Sequence, residues 1–147
     1  MDILGASKAA ISGRGLKVAL PEAEDERILH AAQRLSEAGL ARPVLVGKPD
    51  ELHARGHAAG ARLDGCDVRD PHSDGALRAY GECIAAGRAK VSAGMAERML
   101  RRPLYFAGAM VAAGDAAAMV AEVAAARCRA RAHEDGEGRH GGVPALR

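Results

Sequence analysis

Lys17–Gly47, KVALPEAEDERILHAAQRLSEAGLARPVLVG, is the stretch that decides the fold. Lys17–Leu20 is a compact β-prone run, and Pro21 ends it because proline cannot donate to a sheet ladder. Ile28, Ala31, Ala32, Leu35 and Ala38 then fall at helical spacing. Glu22, Glu24, Asp25 and Glu26 crowd the positive end of that helix, and Gly39 stands where a left-handed cap is needed. Pro43–Gly47 is a continuous short apolar run, the mark of a buried strand. Strand, helix and strand within about thirty residues make a βαβ unit, so the crossover is expected to be right-handed and the sheet parallel.

The pattern continues outward from this unit. Pro49 suits the first turn of a helix through Ala59, with Asp50 and Glu51 favourable beside it. Leu63–Val68 reads as a short third strand stopped by Asp70-Pro71, and Gly75–Ala89 and Ser92–Arg101 read as helices. Arg101–Val120, RRPLYFAGAMVAAGDAAAMV, reads as a buried helix from Leu104 to Val111, a turn at Gly114-Asp115 and a short buried strand from Ala116. Asp115 is read as a turn residue rather than an acid or base. Ahead of Lys17, Leu4, Ala9, Ala10 and Ile11 predict a short leading helix closed by Ser12-Gly13-Arg14-Gly15. The order β-α-β-α-β-α-α-β predicts an α/β fold, a layered parallel sheet with helices on both faces. It occupies residues 1–123, and residues 124–147, without an apolar period, are expected to form a loosely ordered basic, Gly-rich tail.

A chain of 147 residues suits one domain. With 48% apolar residues but 2% aromatic and no Trp, its core must be filled by Ala, Val, Leu and Gly at close backbone approach. The net charge of +2 is small, with acids and bases close to balance along the chain, and few aromatics are present to stack on bases, so no nucleic-acid partner is expected. Cys66, Cys83 and Cys128 have no Cys-x-x-Cys spacing, which points to free thiols in a reducing cytoplasm; Cys66 and Cys83 are expected as small buried hydrophobes. No apolar stretch approaches eighteen residues and Met1-Asp2 opens no signal-peptide pattern, so neither secretion nor membrane association is expected.

Two groups could carry chemistry. Glu22, Glu24, Asp25 and Arg27 follow the first strand, where ligands sit in open α/β sheets, although the same acids also complement a helix N-terminus. Arg88, Lys90, Arg98, Arg101 and Arg102 could hold a phosphate ester or could form a solvated helix face. His53 and His57 have the i, i+4 spacing of a metal pair, but Ala-Arg-Gly between them lacks the Glu of a zincin, and no metal site is expected there or at His133 and His140. No dinucleotide glycine motif, P-loop or Gly-x-Ser-x-Gly elbow occurs, so nothing signals a hydrolase.

In collinear order, Val18-Ala-Leu-Pro-Glu-Ala-Glu-Asp-Glu-Arg27, Gly39-Leu-Ala-Arg-Pro-Val-Leu-Val-Gly47, Asp70-Pro71, Tyr80, Arg88-Ala-Lys90 and Pro103-Leu-Tyr-Phe with Gly114-Asp-Ala resemble the amino-terminal part of the phosphate acetyltransferase (phosphotransacetylase) and phosphate butyryltransferase family. The resemblance covers about residues 16–121; the related carboxy-terminal domain of large malic enzymes is an alternative source of it. It implies reversible acetyl transfer between acetyl-CoA and inorganic phosphate, giving acetyl phosphate and CoA, without metal or prosthetic group. The fold it implies has two α/β domains with a cleft between them, commonly assembled as a homodimer. Within it, Arg88 matches a cleft cation for coenzyme A or phosphate, Glu22, Asp25 and Arg27 match the cleft edge, and Tyr105 and Phe106 match packing positions. The chain departs from the pattern at Ala117, Ala118 and Glu122, and the family's second domain, with its Ser-Arg and Asp cluster, is missing. No catalytic residue is therefore expected in this chain, which reads as a truncated or frameshifted product inactive alone. A non-catalytic ligand-binding or subunit module is the alternative.

Overall fold

A computed structural model of the protein describes residues 2–121. The expected tail, with Cys128, His133 and His140, lies outside the described residues. The elements are α1 (Ile3–Ile11), β1 (Lys17–Leu20), α2 (Glu26–Glu37), β2 (Arg42–Val46), α3 (Pro49–Ala59), β3 (Asp67–Arg69), α4 (Leu77–Ala86), α5 (Ala93–Leu100), α6 (Pro103–Ala113) and β4 (Ala118–Met119). All strand pairs are parallel, in the order β3-β2-β1-β4.

The period of two along the strands builds two cores. Ala19, Val44 and Val46 face one way, onto Tyr80 of α4, Leu100 of α5 and Phe106, Ala107 and Met110 of α6. Leu20 and Leu45 face the other way, onto Leu29 and Ala32 of α2 and Leu52 of α3. The α/β sandwich with helices on both faces is thus present. Crossovers of one hand that step in opposite directions along a sheet run over opposite faces, which is why α2 and α3 lie on one side and α4–α6 on the other.

Local signals place these elements. Pro49 opens α3, and Gly60 in the left-handed region (φ +69°) closes it. Gly114 (φ +82°) closes α6 in the same way. Gly56, which lowers helix propensity, is buried where α3 meets the following loop: a Cβ there would lie 2.8 Å from Leu63 Cδ1 and 3.2 Å from the Ala61 carbonyl oxygen. The glycine lets the loop close onto the helix, as a core poor in large side chains requires.

Four expectations are corrected. The third strand is Asp67–Arg69 rather than Leu63–Val68, because Asp64 and Gly65 break the run and Leu63 is a buried plug in the loop instead. Three helices link β3 to β4 where the element order allowed two, since Pro103 makes the helix read from Leu104 separate from the one that ends at Leu100. The strand of Ala118 and Met119 is exposed, because it pairs with β1 on one side and has no neighbour on the other among the described residues. Cys83 is likewise exposed and Cys66 only partly buried, so the two are not the buried hydrophobes expected.

Candidate functional site

The chain steps from β1 to β2 to β3 in one direction and then returns to place β4 on the far side of β1. The carboxyl ends of β1 and β4 therefore flank a topological switch point, the position where open α/β sheets hold ligands. Pro21–Arg27 leaves β1 at that point and supplies four of the residues singled out above, Glu22, Glu24, Asp25 and Arg27.

Asp25 is the N-cap of α2, with extended backbone (φ −85°, ψ 124°). Its carboxylate accepts the Arg27 backbone N–H at 2.9 Å and both guanidinium donors, Nε at 3.0 Å and Nη2 at 2.8 Å. This pairing raises the Arg27 pKa above its ordinary value. The positive end of α2 thus carries its own carboxylate. Glu22 takes part through its main chain as well, its carbonyl accepting the Asp25 N–H at 3.0 Å. Replacing Asp25 with Ala removes the cap and is expected to cost about 1 kcal/mol, read as a lowered urea midpoint at unchanged slope.

The loops after β2 and β3 reach the same edge. Lys48 Nζ pairs with Glu51 at 2.7 Å. Asp70 accepts the His72 backbone N–H at 2.9 Å, lies 3.2 Å from His72 Nδ1 and accepts the Ser73 hydroxyl at 3.3 Å. The His72 N–H is the main reason that the Asp70 carboxyl lies below its usual range.

Behind this edge, Arg69 organises a half-buried polar network. The alternation of β3 turns Arg69 toward the core that holds Phe106, and its guanidinium carbon sits 5.2 Å from the Phe106 ring centroid and 5.7 Å from that of Tyr80. It grips Asp74 through two bonds of 2.7 and 2.6 Å and donates to the Tyr80 hydroxyl at 3.1 Å. Tyr80 in turn donates to Asp115, which lies 3.6 Å from Arg69 Nη1. Hydrogen bonds from Arg69 hold the Asp74 carboxyl below its ordinary range, while burial, then the bond to Asp115, raises the Tyr80 phenol. Asp115 is therefore a turn residue that also ties the α6–β4 turn to α4 and β3. Sequence reasoning missed Arg69 and Asp74; the available signal was a guanidinium on the inward face of a strand, a charge that requires a partner.

Arg88 stands apart from the Asp25–Arg27 pair. It is exposed and borders a groove of about 270 Å³ between α4, α5 and α6, whose other walls include Ile84, Met99, Leu104, Tyr105, Gly108 and Ala112. Lys90, Arg98, Arg101 and Arg102 are exposed as well. Phe106 is fully buried as a packing residue, whereas Tyr105 is 44% exposed and carries the Arg102 guanidinium 5.5 Å above its ring. Tyr105 is therefore a surface residue rather than a core one, because it projects from the outward face of α6. His53 and His57 are exposed on α3, and among the described residues no three His, Cys, Asp or Glu side chains are gathered as a metal would need. No helix among these residues is long and apolar enough to cross a membrane.

Comparison with known proteins matches residues 6–130 to the phosphate acetyl/butaryl transferase family, so the match begins within α1 and runs past the point near residue 121 where the resemblance read from the residues stops. The chain is 26% identical over 124 residues to a phosphate acetyltransferase of Bacillus subtilis (strain 168), covering 84% of this chain and 38% of that protein. It is 28% identical over 127 residues to one from Staphylococcus epidermidis, with the same coverage. Among solved structures, the EutD phosphotransacetylase from Staphylococcus aureus superposes with a TM-score of 0.74 at 26% identity, covering 78% of this chain and 35% of that one. A phosphotransacetylase from Streptococcus pyogenes gives 0.75 at 28% identity, covering 81% and 37%. The chain thus spans well under half the length of these relatives.

Proposed function

Since the chain belongs to the phosphate acetyl/butaryl transferase family, we propose that it is the amino-terminal portion of an acyltransferase moving an acetyl group between acetyl-CoA and inorganic phosphate. In one direction a phosphate oxygen attacks the thioester carbonyl carbon, the carbon–sulfur bond breaks as the carbon–oxygen bond forms, and the departing sulfur takes up a proton as CoA thiol. Acetyl phosphate and CoA result. Coenzyme A is a substrate in this reading, no metal or prosthetic group is required, and the setting is the cytoplasm, with a homodimer as the assembly.

The observation that carries the reading is the match over residues 6–130 together with the superposition on two phosphotransacetylases. The residues fit a supporting part in that chemistry. Glu22 and Asp25 shape the crevice edge at the switch point, and Arg27 is held there by Asp25. Arg88 is the cation offered to a phosphate of CoA or to inorganic phosphate, since charge-assisted bonds to phosphate are the strong ones. In this reading the general base for the thiol belongs to the part of the family fold that this chain does not span.

The 147-residue chain is therefore expected to form no acetyl-CoA from acetyl phosphate and CoA, followed by thioester absorbance, while binding CoA in calorimetry. Arg88→Ala is expected to weaken that binding about tenfold. Sustained turnover by the purified chain overturns the inactivity. The second reading is a non-catalytic ligand-binding or subunit module derived from the family, favoured by coverage of 38% of the relatives. A folded chain that fails to bind CoA selects its subunit form and removes Arg88 from any ligand role.

A further inference from the structure

Arg88 lies just past the end of α4, and its backbone continues that helix. The Gly87 N–H donates to the Cys83 carbonyl at 3.3 Å and the Arg88 N–H to the Ala85 carbonyl at 3.2 Å, while the Arg88 carbonyl accepts the Val91 N–H at 2.9 Å. The side chain runs out from there, exposed, along the groove wall that begins at Ile84 one turn earlier. A displacement of α4 therefore carries the cation with it. Where Arg88 stands is set by whatever holds α4 on the sheet.

No side chain of the N-cap residue Ala76 caps α4. Its start is fixed instead by Asp74, whose carboxylate accepts the Ala76 N–H at 2.9 Å and whose carbonyl accepts the Leu77 N–H at 3.2 Å. Its flank is set by Gly81, where a Cβ would lie 2.9 Å from Glu97 Cγ and 3.4 Å from the Ala93 carbonyl oxygen of α5. Between these two points stands Tyr80, the one side chain of α4 that is buried. Its hydroxyl accepts from Arg69 at 3.1 Å and donates to Asp115, so β3 and the turn before β4 hold it from two sides. Apolar residues of similar volume often fill such a space without loss of stability, so a charged cluster there is better suited to fixing a geometry than to adding strength. We propose that Tyr80 is a positioning residue for Arg88: its hydroxyl, held between Arg69 and Asp115, sets the register of α4 on the sheet and so the place at which the cation meets a phosphate group. Eight residues of helical rise, about 12 Å, separate the two, a span that a helix bridges as one stiff body. The inference rests on the reading of Arg88 as a contact for CoA or phosphate.

The test is calorimetry of CoA binding by the 147-residue chain and its variants. Tyr80→Phe keeps the ring against Phe106 and removes the hydroxyl alone; it is expected to weaken CoA binding about fivefold. Asp115→Ala removes the acceptor at a side chain that is 49% exposed, so it leaves the core intact, and it is expected to weaken binding to the same degree. Asp115→Asn keeps an acceptor for the hydroxyl and is expected to bind within about twofold of the unsubstituted chain. The decisive comparison is the double variant: Tyr80→Phe with Arg88→Ala is expected to bind no more weakly than Arg88→Ala alone, whereas a merely structural role for Tyr80 weakens both backgrounds by one factor. Equal losses in the two backgrounds, or full-strength binding by Tyr80→Phe or by Asp115→Ala, overturn the inference and leave the role of Arg88 standing. CoA binding that is absent from the unsubstituted chain, or unchanged in Arg88→Ala, overturns that role and the inference with it.

Discussion

Phe106→Ala is expected to lower the free energy of unfolding by about 3–5 kcal/mol. Phe106 is the largest fully buried side chain among the described residues and the chain's single phenylalanine. It joins α6 to the sheet, meets the Tyr80 ring edge-on at a centroid distance of 5.6 Å and lies under the Arg69 guanidinium. The surrounding residues include Ala19, Ala107 and Ala109, which have no flexible side chains with which to fill the space left behind. Since a domain's whole stability is about 5–15 kcal/mol, this one change should consume a large part of it. Urea unfolding followed by circular dichroism reads the result. Tyr105→Ala, one position earlier on the half-exposed outward face, should cost less than about 1 kcal/mol; equal losses at the two positions would contradict the described packing of α6.

The second large effect is expected at Arg69. Its side chain is 23% exposed and that of Asp74 12%, so the pair is mostly withdrawn from water. Arg69→Leu leaves Asp74 without its cation and Tyr80 without one donor, and should cost about 2–3 kcal/mol after allowance for the remaining exposure. The substitution also changes the response to acid. Because Arg69 lowers the folded-state pKa of Asp74, the pair contributes stability at any pH above the unfolded carboxylate value of about 3.9. That contribution is lost as pH falls through the still lower folded value. Arg69→Leu should therefore flatten the acid limb of the stability curve, whereas Arg69→Lys, which keeps a charge but not the two-pronged grip, should fall between the two. An unchanged acid limb in the Leu variant would remove Asp74 from the account.

The sequence resolves best where local chemistry alone sets structure. Lys17–Leu20 and Pro49–Ala59 are legible to the residue, because a proline, a cap or a glycine marks each boundary. The acids at the start of α2 are legible for the same reason, although which of them caps the helix, Asp25, emerges only from its bond to the Arg27 N–H. The third strand is misread because Leu63 is apolar for a reason other than pairing, namely contact with Gly56 across the turn. The exposure of β4 is invisible in its composition, since alanine and methionine read alike at an edge and in a core. Arg69 escapes because its partners come from the turn after β3, from α4 and from the loop before β4. No spacing rule links them until the fold has brought them together.

The strand order also governs when the crevice comes into being. β1 meets β2 within one helix's length of chain, but Val18 finds Ala118 only across about a hundred residues. During synthesis from the amino terminus, the first three strands and their helices can pair while the outer lane beside β1 stays empty. The edge shaped by Glu22 and Asp25 then has a single wall. That lane cannot fill until Ala118 and Met119 have been made, so a chain released before Met119 would carry the acids that follow β1 and no strand beside them.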